Sequence, residues 1–344
     1  MGDKPKPQGR QRSKSASVPR PSSSIILLSP KNEVLLLSRV KTSRSFASAH
    51  VFPGGNLSSQ DGECPAPDHP KRHDDAIHYR RAAIRELFEE SGILLARDRG
   101  TGRLVNVGEK ERESGRHRIH RGEVGFQQWL GGVSAGAEAD TEPLTPFTHW
   151  ITPTNIPRRF TTQMYVYFLP IPGETNGQAI QDIPTDGENE VQVPTSDGGL
   201  EVTEIRYLPP SEWLRLANSG EIIMFPPQYF LLHLIAEIFA NVSKEAGPSS
   251  NLELLNRQRS ELLRFIHSSN PPWTDKFISP KAVASLPDGR LALGLDYLGP
   301  ELEGSGKKGE ADRVVATRFT KEGPREVEVM WRKDVLQHGP KSNL

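Results

Sequence analysis

The sequence predicts an α/β fold, and three observations carry that expectation. Residues 24–28 and 34–39 are β-rich runs flanking Ser29-Pro30-Lys31-Asn32-Glu33, which reads as a hairpin. Ile77, Ile84, Leu87, Phe88 and Ser91 recur at helical spacing, with Asp74 or Asp75 able to cap the start after the Pro70-Lys71-Arg72 turn. Gly92 suits the left-handed residue beyond the last turn of that helix. Residues 201–208 alternate as a strand, and Pro209-Pro210-Ser211-Glu212-Trp213-Leu214 opens a helix with Ser211 as cap.

The remaining elements follow in order. Val51-Phe52-Pro53-Gly54-Gly55 is an apolar pair running into a break, a strand that ends in a turn with close backbone approach. Asp61-Gly62-Glu63-Cys64-Pro65-Ala66-Pro67 is loop chemistry inside a stretch, 56–73, read as an insertion. Residues 97–122 form a second, strongly charged insertion ending in Arg116-His117-Arg118-Ile119-His120-Arg121. That basic cluster is either a solvated surface or a phosphate contact. Residues 124–133, with Phe126, Trp129 and Leu130, form a short amphipathic helix, and 164–169 form a strand. Residues 186–199 are polar and read as loop, whereas 222–225 lead into a helix from Pro226 through Ile238. Beyond it come a helix near 252–266, a hairpin over 280–295 turning at Asp288-Gly289, a flexible loop at 301–312 and strand character over 314–331.

Composition limits the partners. There are 43 basic and 43 acidic residues in 344, so charge gives no general case for nucleic acid or membrane binding. No apolar run approaches bilayer-spanning length. Cys64 is the single cysteine, which excludes an internal disulfide and fits a reducing compartment. Hydrophobic content of 35%, with 30 Gly and 29 Pro, predicts a modest core with long loops. Residues 1–22 are basic and Ser/Pro-rich, with Asp3 the only acid, and read as a disordered tail. Their four prolines argue against the amphipathic helix of a mitochondrial presequence. Lys6 argues against N-myristoylation of Gly2.

The richest chemistry lies in Arg85-Glu86-Leu87-Phe88-Glu89-Glu90-Ser91-Gly92-Ile93. Residues 86, 89 and 90 stand at i, i+3 and i+4 and share one helix face, where like charges repel unless a cation sits among them. Hard divalent ions take carboxylate oxygens and keep the rest of their shell for water and phosphate. Arg85, one turn before Glu89, can brace a carboxylate with its fork of donors. A solvated acidic helix face is the plain alternative.

Together the Gly54-Gly55 turn and residues 85–93 resemble the Nudix box, G-x5-E-x7-R-E-U-x-E-E-x-G-U, where U is a bulky aliphatic residue. The resemblance implies an α/β/α sandwich around a mixed sheet and a diphosphohydrolase dependent on Mg²⁺ or Mn²⁺. Glu86, Glu89 and Glu90 would be metal ligands, Glu86 or Glu89 a base, Arg85 their organiser, and Gly54 and Gly55 part of the substrate site. Two departures stand out. Gly55 to Arg85 spans thirty positions where the box has fourteen, and the residue eight before the arginine is Ile77 rather than glutamate.

A lengthened loop before the helix also occurs in the motif-19-type acyl-coenzyme A diphosphatases. That branch is further resembled by Trp150-Ile151-Thr152-Pro153, by Arg159-Phe160 and by Pro226-Pro227-Gln228-Tyr229. The branch implies cleavage of coenzyme A or acyl-coenzyme A to 3′,5′-ADP and a 4′-phosphopantetheine product. Arg158 or Arg159 would clamp phosphate, and Glu201 or Glu204 would approach the metal from the sheet. Nucleotide sugars, dinucleotides and capped RNA are the alternative substrates, and a non-catalytic binding module is the alternative class. Ser342-Asn343-Leu344 is close to a peroxisomal address and suggests the import receptor as partner, with cytoplasm or mitochondrion as other locations. The resemblance covers 23–240, leaving 241–344 as an extension with a helix, a β-hairpin and a flexible end.

Overall fold

Ile25-Ile26-Leu27-Leu28 is apolar without a break because the strand that contains it is covered on both faces. The computed structural model describes residues 16–39, 49–172, 188–194, 200–247 and 250–338. Its first half contains strands β1 (Arg20–Leu28), β2 (Val34–Arg39), β3 (Ala49–Val51) and β4 (Gly54–Asn56), then helix α1 (Ile77–Ser91). Next come β5 (Ala96–Asp98), α2 (Glu109–His120), α3 (Phe126–Val133), β6 (Ala137–Ala139), β7 (Thr145–Ile151) and β8 (Phe160–Phe168). The second half contains β9 (Glu188–Pro194), β10 (Leu200–Leu208), α4 (Pro210–Asn218), β11 (Ile223–Met224), α5 (Pro226–Glu245) and α6 (Asn251–Ser268). It closes with β12 (Phe277–Ile278), β13 (Lys281–Ser285), β14 (Leu291–Leu295), β15 (Glu310–Thr320), β16 (Gly323–Trp331) and α7 (Arg332–His338).

Ten strands join in one mixed sheet. β1 runs parallel to β8 from Arg20↔Phe160 to Leu28↔Phe168, and β7 continues antiparallel to β8 with β12 parallel beyond it. On its other edge β1 holds β4 at Ser22–Ser24 and hands over to β2 at Leu28↔Val34. β2 carries β10 and then β9 on one side, with β3 and then β11 on the other. Period-2 alternation divides the core cleanly. Ile25, Leu27, Leu35, Leu37, Tyr165 and Tyr167 pack with Ile84, Leu87 and Phe88 of α1. Ile26, Leu28, Val34, Leu36, Met164 and Val166 pack with Trp213, Phe230, Ile235, Leu262 and Ile266 from α4, α5 and α6. The result is the expected α/β/α sandwich, built on a mixed sheet.

Several expected details differ. The strand β1 begins at Arg20, inside the stretch read as tail, because its backbone pairs with Arg159 and β8. Neither Asp74 nor Asp75 caps α1, whose first turn follows Ala76. Asp75 instead receives Arg80 and the Tyr165 hydroxyl, and Asp74 pairs with Lys307 at 3.1 Å. Ile77, the first residue of α1, is 48% exposed, whereas Ile84, two turns on along the same face, is buried. The polar stretch 186–199 contains β9, which is a strand because β10 offers it an antiparallel edge. Ser211 lies within the first turn of α4, behind Pro209, and makes no cap. The loop expected at 301–312 includes the start of β15, where Glu310 is buried in a pair with Lys276. Ser342, Asn343 and Leu344 lie outside the described residues. Among those described, no helix is long and apolar enough to cross a membrane.

The segment read as an extension is built into the core. β12 adds to the first sheet, α6 packs on α5, and a four-stranded sheet, β13-β14-β15-β16, contributes Leu295, Val315 and Val327 to the same apolar cluster as Trp213. Trp273 is fully buried there, stacked on Phe265 with ring centres 5.3 Å apart. Trp273→Ala is therefore expected to destabilise the whole chain by about 3–5 kcal/mol. Urea unfolding followed by circular dichroism should show one shifted transition; two separated transitions would mean that the C-terminal part folds alone.

At one end of β7 and β8, buried His149 places Nε2 2.6 Å from Thr161 Oγ1 and Nδ1 3.1 Å from Gln163 Oε1. His73 Nδ1 meets the same hydroxyl at 2.7 Å. Burial lowers both imidazoles, His149 to about 3. In the unfolded chain a histidine titrates near 6.5, so the folded state resists a proton that the unfolded state accepts. Stability should be complete above about pH 6.5 and fall progressively toward pH 3. His149→Gln should flatten the pH dependence of urea midpoints between pH 6 and 4, and an unchanged slope would refute this origin.

Candidate active site at the end of helix α1

Arg85 organises the site through all five of its N–H donors. Nε and Nη2 reach the two oxygens of Asp61, both at 2.8 Å, and Nη2 also reaches Asn56 O at 2.9 Å. Nη1 reaches Glu86 Oε1 and Glu89 Oε1, each at 2.8 Å. Arg85 is 4% exposed and Asp61 2% exposed, so the pair is nearly desolvated and its charge-assisted bonds are strong. Burial pulls the Arg85 guanidinium down, but its bonds and carboxylate neighbours outweigh that and leave it raised. Burial pushes the Glu86 carboxyl up to about 7; Arg85 opposes that rise and Glu89 adds to it.

The glycine turn is shaped to the helix. A Cβ on Gly55 would lie 2.5–2.7 Å from the Glu86 carboxylate atoms, so this carboxylate rests directly on bare backbone. A Cβ on Gly54 would lie 2.3 Å from Ser23 O and 2.7 Å from Ser24 Cα, where β4 crosses β1. Gly54 N–H donates to Glu90 Oε2 at 2.9 Å. Gly92, at φ 76°, ends α1 with its N–H on Phe88 O. Glu86, Glu89 and Glu90 thus sit on the last turns of a helix fastened to the turn at 54–55.

Other candidates lie elsewhere. Arg159 is buried in a two-pronged pair with Glu301 and also donates to Thr152 O and Ser17 O, whereas Arg158 is exposed. Glu204 accepts from Ser38 Oγ at 3.4 Å. Ser38 follows Leu36 in the alternation of β2, so Glu204 lies on the α4–α6 side of the sheet, away from α1. The side chain of Glu201 lies outside those described. Within 97–122, which contains α2, Arg116 and Ile119 are buried, whereas Arg118 and Arg121 are exposed.

The donor set fits a hard divalent cation. Among the described residues no three carboxylates, imidazoles or thiolates converge on one point, since Arg85 draws on Glu86 and Glu89 while Glu90 turns to Gly54. An octahedral ion that keeps water and phosphate needs only one or two carboxylates. Glu86 and Glu89, neighbours on a shared guanidinium, supply an all-oxygen pair of that kind, the chemistry of Mg²⁺ or Mn²⁺.

The chain is 28% identical over 238 residues to putative nudix hydrolase 7 of Caenorhabditis elegans, an alignment covering 67% of each protein. It is a Nudix hydrolase homologue. It is also 25% identical over 244 residues to acyl-coenzyme A diphosphatase NUDT19 of Xenopus laevis, covering 58% of each. A crystal structure of a NUDIX hydrolase from Alicyclobacillus acidocaldarius aligns at a TM-score of 0.47 and 22% identity, over 62% of this chain and 90% of that one. No family model matches the chain.

The geometry corrects the reading of the Nudix box. Asp61 stands six positions after Gly55, the offset of the box glutamate, and it is the carboxylate that Arg85 grips. Ile77 therefore replaces nothing, and the extra residues all fall between Asp61 and Arg85. Counting forward from the glycine, with aspartate allowed for glutamate, would have found it. Asp61 also accepts Ser58 N–H at 2.8 Å, which closes the turn that presents it. Asp61→Asn removes one partner of a buried pair and should cost roughly 3–5 kcal/mol. A urea midpoint within error of the parent would show that Arg85 does not depend on this charge.

Proposed function

We propose that the chain is a divalent-metal-dependent diphosphohydrolase whose substrate is coenzyme A or an acyl-coenzyme A. The observation that carries the reaction is the pairing of Glu86 and Glu89 on one guanidinium beside the Gly54-Gly55 turn. Glu86 and Glu89 would hold Mg²⁺ or Mn²⁺, and Glu90 would join them on leaving the Gly54 N–H. When bound, such an ion neutralises diphosphate charge and makes water a better nucleophile. Water oxygen attacks one phosphorus in line, the bridging P–O bond breaks, and the bridging oxygen leaves on the other phosphate. Glu86 or Glu89 accepts the water proton. Gly54 and Gly55 hold the turn against Glu86 and Glu90.

The substrate class rests on the likeness to the Xenopus laevis protein and on Trp150-Ile151-Thr152-Pro153 and Pro226-Pro227-Gln228-Tyr229. Products would be 3′,5′-ADP and the (acyl-)4′-phosphopantetheine. A binding-only module is the second reading, favoured by the hold of Arg85 on Glu86 and Glu89.

The test is turnover with Mg²⁺ or Mn²⁺ of coenzyme A, acetyl- and long-chain acyl-coenzyme A, ADP-ribose, diadenosine polyphosphates and capped RNA. Release of 3′,5′-ADP from the coenzyme A species is expected, falling roughly 100-fold or more in folded Glu89→Gln and Glu90→Gln variants. Cleavage of another compound alone would overturn the substrate and keep the chemistry. Metal-free binding without turnover would overturn both.

A further inference from the structure

Helix α2 is fixed against the end of α1 by contacts that converge on Glu89. Arg116, 1% exposed, donates from Nη2 to the main-chain O of Glu89 at 3.0 Å and from Nε to Phe88 O at 3.2 Å. Glu113 holds the other end of that guanidinium at 2.8–2.9 Å. Gly115 lets the helix approach, since a Cβ there would lie 2.3–2.5 Å from the Trp129 ring. Trp129 stacks on Phe88 with ring centres 4.8 Å apart and donates Nε1 to Glu111 at 3.1 Å.

Four residues after Arg116, hence on the same helix face, His120 places Nδ1 3.3 Å from Glu89 Oε2. The other Glu89 oxygen is the one held by Arg85. Opposite sides of one carboxylate therefore meet cations or donors from two different helices. A carboxylate has no proton to give, so any proton shared across this contact would come from the imidazole.

From this geometry we propose that His120 is a positioning residue for Glu89, fixing the outer oxygen of a metal-binding carboxylate whose backbone Arg116 already fixes. The role rests on the metal-dependent reading above. Carboxylates that bind metals are themselves hydrogen-bonded, and loss of such a partner costs typically about 10–100-fold in metal affinity or activity. His120 is 25% exposed in its side chain, so its replacement leaves little buried space.

The test uses His120→Ala and His120→Asn, because the Asn amide can return a donor near the place of Nδ1. Mn²⁺ affinity is read without substrate by electron paramagnetic resonance, beside kcat, KM and thermal melts. Expected are a melt unchanged for both variants, Mn²⁺ affinity and kcat lowered about tenfold or more in His120→Ala, KM little changed, and substantial recovery in His120→Asn. Parent-like Mn²⁺ binding and kcat in His120→Ala would overturn the proposal while leaving the diphosphohydrolase reading intact. Loss that follows the melting temperature, with no recovery by Asn, would make His120 merely structural and overturn it too. A parent chain that neither binds Mn²⁺ nor turns over would instead defeat the underlying reading.

Discussion

The site depends on one buried guanidinium with every donor satisfied. Arg85 joins the loop ending in Asp61, the carbonyl of Asn56 just past the glycine turn, and two glutamates of its own helix. A buried cation with an unmet donor would be costly, so these groups cannot move independently. Lysine could not replace it, since an ammonium has three donors on one nitrogen and no planar fork for Asp61. The close seating of Glu86 on Gly55 and of Glu90 on the Gly54 N–H follows, because the loop and helix are drawn together there.

The sheet provides the frame for that constraint. Because β1 is covered on both faces, α1 has a flat apolar wall through Tyr79, Ala83, Leu87 and Phe88, and its carboxylate stripe is left at the edge of the contact. The opposite face needs equal cover. α4 and α5 supply part of it, while α6, Trp273 and strands from the second sheet complete it. Among the described residues, the C-terminal third thus supports the site from across the sheet without contributing a residue to the carboxylate cluster.

Much of this was legible in the sequence where the signal was local. The glycine turn, residues 85–93, the first hairpin and the helices α3 and α6 follow from spacing and turn chemistry over a few residues. What could not be read depended on distant partners. Arg159 reads as a phosphate clamp until Glu301, far along the chain, is seen to take it. Arg116 and His120 look like solvated charge because no periodicity reveals that Glu89 and Phe88 offer them acceptors. Strand β9 lacks an apolar pattern and is a strand because β10 offers it an edge. Asp61 was legible but hidden by the direction of counting, since the extra residues separate it from the arginine it serves.

The five donors of Arg85 also divide by task. Nε and Nη2 face Asp61 and Asn56 O, all on the loop, whereas Nη1 alone faces the two helix glutamates. A divalent ion drawn to Glu86 and Glu89 would compete only with Nη1. Asp61 would keep its two-pronged grip, and the loop would stay fastened to the helix. The anchoring of the site and its capacity for a cation are therefore separable within one side chain. That division lets a buried arginine stand among carboxylates proposed to bind a metal: it restrains their positions with one nitrogen and secures the fold with the other two.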